Sequence, residues 1–401
     1  MKPADAPTRE QFAKKFLKEM KRIRADENLF YDMKRFAILR RGSDLEETSL
    51  GNFYDEYVTM NPAKRTQFIT QVVESMLAAK GDLPRDFNMA CDRLRPRLWL
   101  RSVVASTLLR AQIEEGPEAV GLDLPDSPIG AHLISTIVYD LSSAVRSLPR
   151  AQFTEWGVTY EEGLKIASEN LSRAPFKFAT LPDGIYFALT GDNYDAARLL
   201  LPDLLERWKV DGDPIAMVPN RNVLFMTGSN NAVALKVLVQ VVAEALKEPR
   251  PLSGIPLRWN GTAWEDWIIP RNHTVYSAFH DMEVRFLASE YHQHDELVQQ
   301  HLRLKNSDAE ISPCQAANAG QGLFSTAFWL KGVKCLLPKV DRLSLFVGDI
   351  KEPKLVAFGR WERIQEICGH IFKVTEYYPP RYLVEDFPTD DEIREIGVEK
   401  L

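Results

Sequence analysis

The sequence lacks the features that define several large classes of protein. It contains no run of eighteen apolar residues, and its first residues form no apolar segment of the kind that directs secretion. Its four cysteines, Cys91, Cys314, Cys335 and Cys368, lie far apart and form no C-x-x-C pair. This spacing argues against a disulfide framework or a structural zinc site. These absences predict a cytoplasmic protein with reduced thiols and no membrane partner.

The common catalytic motifs are also missing. The chain has no G-x-x-x-x-G-K-[ST], no G-x-G-x-x-G after a strand, no G-x-S-x-G and no H-E-x-x-H. This counts against the usual nucleotide-dependent enzymes, dinucleotide-binding enzymes and zinc proteases. The sequence therefore predicts no cofactor and favours a protein without enzymatic activity, although a hydrolase of unrelated design stays open.

Composition indicates a folded protein of more than one domain. The 401 residues are 45% hydrophobic and 26% charged, and the formal net charge is −6. A chain of this length is too long for one ordinary core. The hydrophobic patterns predict an α+β fold with two domains, a mixed helix and sheet domain over 1–250 and a smaller β-rich domain over 251–401.

Several helices have clear local signals. Residues 8–24 show the period of an amphipathic helix with a lysine-rich outer face, and packing onto the domain behind it explains this pattern better than a membrane surface. Asn61 and Pro62 are suited to begin a helix. Thr159 and Glu162 have the spacing of a capping box, which predicts another helix directly after Thr159.

The strongest local charge feature is a strand rich in arginine over residues 93–101. Arginines and leucines alternate there with the period of a half-buried strand, and Pro96 predicts either a position at a sheet edge or a break in the strand. Arginine binds phosphates and carboxylates through two parallel hydrogen bonds. The candidate residues for binding an anion or a partner are Arg93, Arg95, Arg97 and Arg101. The alternative is cross-strand pairing with acidic residues such as those of 44–56.

A β-hairpin is predicted shortly after Pro251. Asn260-Gly261 suits a type I′ turn between two short strands. Trp264 and Trp267 then provide either an exposed aromatic surface for a partner or the core of the hairpin. Strands near 323–329, 342–347 and 354–359 account for the β-rich end.

The best candidates for metal ligands lie in the histidine-rich segment 273–301. His280 and Glu283 stand three residues apart and share a helix face, and His292 and His294 follow on the same predicted helix. Three imidazoles with a carboxylate suit zinc or iron. The alternative is an ordinary solvated helix surface, on which histidines need no special role.

Four segments together resemble a known bacterial family. They are GDNYDAARLLLPDLLERW (191–208), GDPIAMVPNRNVLFMTGSNN (212–231), FTEWGVTYEEGLKIASENL (153–171) and LRPRLWLR (94–101). These runs resemble the family named domain of unknown function 1444, over roughly residues 45–250. The resemblance implies a bacterial, soluble α+β protein. It implies no catalytic residues.

Charged residues are unevenly distributed along the chain. Residues 1–41 hold twelve Lys and Arg against six Asp and Glu, whereas the chain as a whole is acidic. Separated charges and an aromatic hairpin favour a non-enzymatic binding or regulatory protein with a protein partner or self-association. One alternative is a metal-assisted hydrolase that uses the histidine-rich segment. A weaker alternative is polyanion or nucleic-acid binding through the arginine strand.

Overall fold

The computed structural model has the predicted α+β architecture. It describes residues 7–24, 28–34, 36–40, 46–78, 83–121, 123–141, 144–201, 203–248, 250–318, 320 and 322–400. Within these residues the α-helices are α1 (Arg9–Arg24), α2 (Gly51–Thr59), α3 (Arg65–Ala78), α4 (Phe87–Ala90), α5 (Arg101–Glu115), α6 (Arg150–Trp156), α7 (Tyr160–Arg173), α8 (Asp203–Arg207), α9 (Ala232–Ala245), α10 (Tyr276–Leu304), α11 (Trp361–Cys368) and α12 (Asp390–Ile396).

The strands form five sheets in the described part of the chain. They are β1 (Leu29–Asp32), β2 (Ala37–Arg40), β3 (Glu46–Ser49), β4 (Leu94–Leu100), β5 (Ser127–Ile129), β6 (Leu133–Leu141), β7 (Ala144–Ser147), β8 (Phe178–Leu181), β9 (Ile185–Ala188), β10 (Pro214–Asn220), β11 (Val223–Gly228), β12 (Leu257–Trp259), β13 (Trp264–Asp266), β14 (Glu310–Ile311), β15 (Gln315–Asn318), β16 (Leu323–Leu330), β17 (Cys335–Pro338), β18 (Arg342–Val347), β19 (Lys354–Arg360), β20 (Lys373–Val374) and β21 (Arg381–Val384).

The N-terminal part packs α1 to α3 with the antiparallel sheet β1–β2–β3. The inner face of α1 buries Phe12, Phe16 and Met20 in a core shared with α2 and α3, so the predicted amphipathic helix packs onto its neighbours. Asn61 caps the next helical segment, because its side chain accepts a hydrogen bond from the N–H of Ala63. None of the described helices has the length and apolarity needed to cross a membrane.

Strand β4 lies at the edge of its sheet, where Pro96 predicted it. It pairs with β6 in antiparallel register from Leu94 opposite Tyr139 to Leu100 opposite Leu133. The sheet order is β4-β6-β5, with β7 also paired to β6. Helix α7 covers β4, and the predicted capping box of Thr159 and Glu162 begins that helix.

The predicted hairpin extends the sheet that precedes it in the chain. The six-stranded antiparallel sheet has the order β13-β12-β10-β11-β9-β8, and β12 pairs with β10. Hydrogen bonds between β10 and β12 therefore connect the segments of the chain before and after residue 250. The domain boundary predicted at residue 250 stays a prediction.

The turn of this hairpin differs from the prediction. Trp259 pairs with Trp264 across a four-residue loop, and the φ angle of Asn260 is not positive, so the turn is not type I′. The Asn260 side chain instead accepts hydrogen bonds from the N–H groups of Thr262 and Ala263.

The C-terminal part combines one long helix with two four-stranded sheets. Helix α10 packs against α5 and against β16. The sheets have the orders β14-β17-β21-β20 and β15-β16-β18-β19. Both sheets and α11 contribute to one core, in which Trp329 and Trp361 are fully buried. The three strands predicted over 323–359 correspond to β16, β18 and β19.

The capping box gives a direct test of this fold. In it the Thr159 hydroxyl accepts from the N–H of Glu162 at 3.2 Å, and the Glu162 carboxylate accepts from the N–H of Thr159 at 2.8 Å. We expect Thr159→Ala to lower the free energy of unfolding by about 1 kcal/mol, because one N–H of the first turn loses its acceptor. Chemical denaturation measures this loss. Thr159→Ser keeps the hydroxyl and is the control, and an equal loss in both variants would contradict the capping role.

Candidate ligand-binding cleft

A cleft of about 1680 Å³ opens among the described residues. Its walls come from α2, α3, the end of β4, α5, the end of β6, the loop 192–194, α9 and α10. Pockets for small molecules usually measure about 300 to 1,000 Å³. The cleft is therefore large enough for a segment of another macromolecule.

Arg97 is the predicted site residue that the cleft contains. Its guanidinium lies over the ring of Trp99, 5.1 Å from the ring centroid, and both residues line the cleft. Burial, together with the neighbouring charge of Arg250, lowers the pKa of Arg97 to about 10. Arg97 forms no ion pair or hydrogen bond with any side chain that the structure describes. It is thus a charged, half-buried donor without an acceptor from the described protein.

The charges around the cleft are unequally satisfied. Basic and acidic side chains both line it, namely Arg97, Arg110, Arg221, Lys247, Arg250 and Arg285 against Glu56, Asp140, Asp192, Asp281 and Glu290.

Four of the five acids bind donors of the protein itself. Glu56 pairs with Arg250 at 3.1 Å, Asp192 pairs with Arg198 at 2.6 Å, Asp281 accepts from the N–H of Leu323 at 2.7 Å, and Glu290 accepts from the Ser102 hydroxyl. The fifth is Asp140, and burial raises its pKa, which disfavours its negative charge. Arg97, Arg110, Arg221 and Arg285 form no ion pair among the described residues, whereas burial raises the pKa of Glu290 as well as that of Asp140, so positive charge predominates in the cleft.

The motif 191–200 builds one wall of the cleft. Arg198 is fully buried and donates to both Asp192 and Asp195, and its guanidinium lies 5.0 Å from the ring centroid of Phe176. Asp195 in turn accepts from the N–H of Gly191 at 2.9 Å. This network fixes the loop whose residues 192–194 line the cleft. The resemblance found in the sequence thus includes residues of the site, although the sequence did not identify them as such.

The structure separates the four predicted arginines. Strand β4 ends at Leu100, so Arg101 begins α5, where it lies 4.7 Å from the ring centroid of Tyr378. Arg93 lies 6.0 Å from the ring centroid of Tyr139. Arg95 donates to main-chain oxygens next to it, and Arg97 alone of the four lines the cleft. The expected continuous arginine face is therefore divided between four environments.

The two tryptophans are buried and do not form an exposed aromatic surface. Trp264 donates from its indole N–H to the carbonyl oxygen of Leu199 at 2.9 Å. Trp267 packs edge to face with Phe279 in the core between the six-stranded sheet, α9 and α10. Of the two roles considered for these side chains, core packing matches their positions.

The histidine-rich segment forms one continuous helix, α10, and its histidines do not converge. His280 lies between Asp341, at 3.3 Å, and Glu283, at 3.8 Å. These two carboxylates raise the pKa of His280 to about 10, which favours an imidazolium. His292 is exposed, and the buried His294 contacts the main-chain oxygen of Ser102 at 3.2 Å.

Helical geometry keeps these side chains apart. Fourteen residues of helix separate His280 from His294 by roughly 21 Å along the axis. In the part of the chain that the structure describes, no group of three or more His, Cys, Asp or Glu side chains has the geometry of a metal site. Cys314, between β14 and β15, is also buried, and burial raises the pKa of its thiol to about 12, which disfavours the reactive thiolate.

Known proteins with similar sequences carry the name of an uncharacterised family. The chain is 26% identical to an UPF0354 protein of Bacillus cereus (strain AH187) over 154 residues, which is 36% of this chain and 54% of the relative. It is 27% identical to an UPF0354 protein of Listeria innocua serovar 6a over 128 residues, which is 30% of this chain and 48% of the relative. No family model matches the chain, and no solved structure matches it.

These comparisons support the predicted likeness in its coarser form. The relatives are bacterial and belong to a family of unknown function, as the resemblance implied. The chain spans about half the length of the curated relatives that it matches. The narrower assignment to domain of unknown function 1444 stays a prediction.

The ion pairs of His280 predict a specific pH dependence of stability. Because its pKa is raised from 6.5 to about 10 in the folded chain, its contribution is complete below pH 6.5 and is lost as the pH rises through about 10. We expect His280→Gln to cost on the order of 1–2 kcal/mol at pH 7, with allowance for solvent screening, and less at pH 10.5. Denaturation of both proteins across this range measures the difference.

A variant on the same helix provides the control for this measurement. His292→Gln changes an exposed histidine of α10, and we expect it to leave the free energy of unfolding nearly unchanged at each pH. A cost of His280→Gln that stays constant from pH 6 to pH 10.5 would show that the ion pairs do not contribute through the charge of the imidazole.

Proposed function

We propose that the chain is a non-enzymatic binding or regulatory protein that holds an anionic segment of a macromolecular partner in the cleft. The observation that carries this proposal is Arg97, a half-buried cation that no described carboxylate contacts. Charges that lose part of their hydration in a folded protein are normally paired or hydrogen-bonded. An anionic group of a partner supplies the pairing that Arg97 lacks.

The surroundings of Arg97 support an anion rather than a neutral ligand. Arg250 is close enough to lower the pKa of Arg97, so two guanidinium groups repel each other at this point of the cleft. Arg250 forms an ion pair with Glu56, whereas Arg97 forms no ion pair among the described residues. The N–H at Nε of Arg221 and the indole N–H of Trp99 are also buried without an acceptor among the described residues. Donors thus exceed acceptors in this wall of the cleft.

Neither alternative function has comparable support. His280 is already held by two carboxylates, and the contacts of His294 are to main-chain oxygens, so metal-assisted hydrolysis has no assembled ligand set among the described residues. Polyanion binding requires an arginine face, and the four arginines of 93–101 lie in different environments. A partner with a local anionic segment fits the unpaired arginines of the cleft better.

Replacement of Arg97 tests the proposal. We expect the tagged wild-type protein to retain a stoichiometric partner from its own host at moderate salt with nuclease present. Arg97→Gln should reduce the retained amount about ten- to a hundredfold, because a hydrogen bond to a charged group is worth about 1.5–3 kcal/mol. Mass spectrometry of the captured proteins measures this ratio.

Two controls make the result interpretable. Arg271→Gln removes an exposed arginine outside the cleft and should leave capture unchanged. Arg97→Gln should not lower the free energy of unfolding, since the native protein gains little from a buried charge without a counterion. Equal capture by wild type and Arg97→Gln would remove the cleft from the proposal.

A further inference from the structure

Two arginines of the cleft wall lie beside the loop of residues 192–194, and they come from different strands. Arg221, which directly follows β10, donates from Nη2 to the side-chain oxygen of Asn193 at 3.4 Å. Arg97, on β4, lies near Tyr194, since the charge of each affects the pKa of the other. Asn193 and Tyr194 are consecutive residues. Arg97 and Arg221 therefore meet at the same short stretch of the cleft wall.

Arg250 adds a third guanidinium group to this stretch. Asn220 and Pro251 form an antiparallel bridge, so Arg221 and Arg250 lie side by side at the same end of it. The charge of Arg250 is also close enough to lower the pKa of Arg97. All three arginines line the cleft. They form what we call the arginine subsite, composed of Arg97, Arg221 and Arg250.

The backbone at the arginine subsite has an uncommon conformation. The φ angles of Asn193 and Arg250 are +69° and +64°, and in the described part of the chain only four residues other than glycine have a positive φ. Asparagine tolerates this conformation, whereas arginine rarely adopts it because its Cβ atom approaches the main chain. Such conformations are concentrated at ligand-binding sites. The backbone is thus a second indication that this wall of the cleft has a binding role.

Two of the three positive charges of the subsite are unpaired. Arg250 forms an ion pair with Glu56 at 3.1 Å. Arg221, by contrast, donates to the neutral side chain of Asn193. Neither Arg97 nor Arg221 forms an ion pair with a residue that the structure describes. A ligand of the subsite therefore meets two cations that have no counterion from the described protein.

The other acids of this wall do not neutralise these two cations. Asp192 is held by the fully buried Arg198 at 2.6 Å. Burial raises the pKa of Asp140, which disfavours its negative charge, and the positive charges that act on it are those of Arg95 and Arg93. The subsite therefore keeps an excess of positive charge.

We propose that the arginine subsite binds a phosphate monoester on the anionic segment of the partner, that is, a phosphorylated hydroxyl side chain. This inference rests on the proposed function and names the anionic group. A phosphate monoester carries a charge of about −1.5 to −2 at pH 7 and three acceptor oxygens, which match two unpaired guanidinium groups. A carboxylate, or a phosphate within a nucleic-acid chain, carries a single charge and would leave one of these cations unpaired.

Small probes test the charge of the ligand on the unaltered full-length protein. They are N-acetyl phosphoserine amide, its O-methyl phosphodiester and N-acetyl glutamate amide, and calorimetry measures their dissociation constants. We expect the monoester to bind at least about tenfold more tightly than the other two, because only the monoester pairs with both cations. The methyl diester is the matched control, since it keeps the phosphate group and loses one negative charge.

Variants test whether both unpaired arginines take part. We expect Arg97→Gln and Arg221→Gln each to weaken binding of N-acetyl phosphoserine amide at least about tenfold and to reduce its preference over the glutamate compound. Arg271→Gln changes an exposed arginine outside the cleft and should bind as the wild type does. The comparison of probes on the wild-type protein stands even if a variant fails to fold.

Phosphatase treatment of the host extract tests whether the phosphate belongs to a protein. The enzyme removes the monoester from a partner and releases inorganic phosphate. We expect active phosphatase to lower the amount of partner captured by the tagged protein at least about tenfold, and heat-inactivated phosphatase to leave it unchanged. Undiminished capture would overturn a phosphorylated partner, and so would tighter binding of inorganic phosphate than of N-acetyl phosphoserine amide.

The outcomes separate this inference from the proposed function. Equal binding of the monoester, the diester and the glutamate compound would overturn a subsite for a dianion, and so would unchanged binding of the monoester by Arg221→Gln. Failure of all three probes to bind would overturn it as well. In each of these cases the capture experiment with Arg97→Gln still decides, separately, whether the cleft holds an anionic segment.

Discussion

The buried ion network of Arg198 is the interaction on which the candidate site depends. A guanidinium without solvent contact is tolerated only if its donors find acceptors, and Asp192, Asp195 and the carbonyl oxygen of Pro175 provide them. The same contacts hold the chain between β9 and α8 in one conformation. Loss of either carboxylate would leave an uncompensated buried charge and would release the loop that lines the cleft. The motif 191–200 therefore holds its own loop in a fixed conformation, and residues 192–194 of that loop line the cleft.

A second constraint comes from Pro96, which fixes how β4 can be used. Proline cannot donate to a ladder, so the alternation that starts from it directs Leu98 and Leu100 outward as well. Most proteins cover an exposed edge or place charges on it. Here Pro96, Leu98 and Leu100 are themselves buried, and α7 packs against β4. Pro96 thus keeps β4 at the edge of its sheet, and the neighbouring segments cover that edge.

The sequence predicted those elements whose signals are local. The capping box of Thr159, the cap at Asn61 and the edge position of β4 each depend on a few neighbouring residues, and the structure confirms them. Arg101 was expected to continue the strand, because nothing in the residues around it marks a change from strand to helix. The cleft could not be predicted, since Arg97 meets Arg250 only through the packing of distant segments. The turn at Asn260 differs because the pairing of Trp259 with Trp264 sets a longer loop.

The contrast between total and local charge bears on which partners the cleft can select. The chain carries a formal net charge of −6, whereas four of the five acids of the cleft bind donors of the protein itself. At physiological ionic strength a charge is screened over about 8 Å. A long polyanion would approach many acidic parts of this surface, but a short acidic segment meets only the residues close to it. Arg97 and its basic neighbours then attract that segment at close range, so the selectivity of the cleft follows from where its basic residues lie and not from the total charge of the chain.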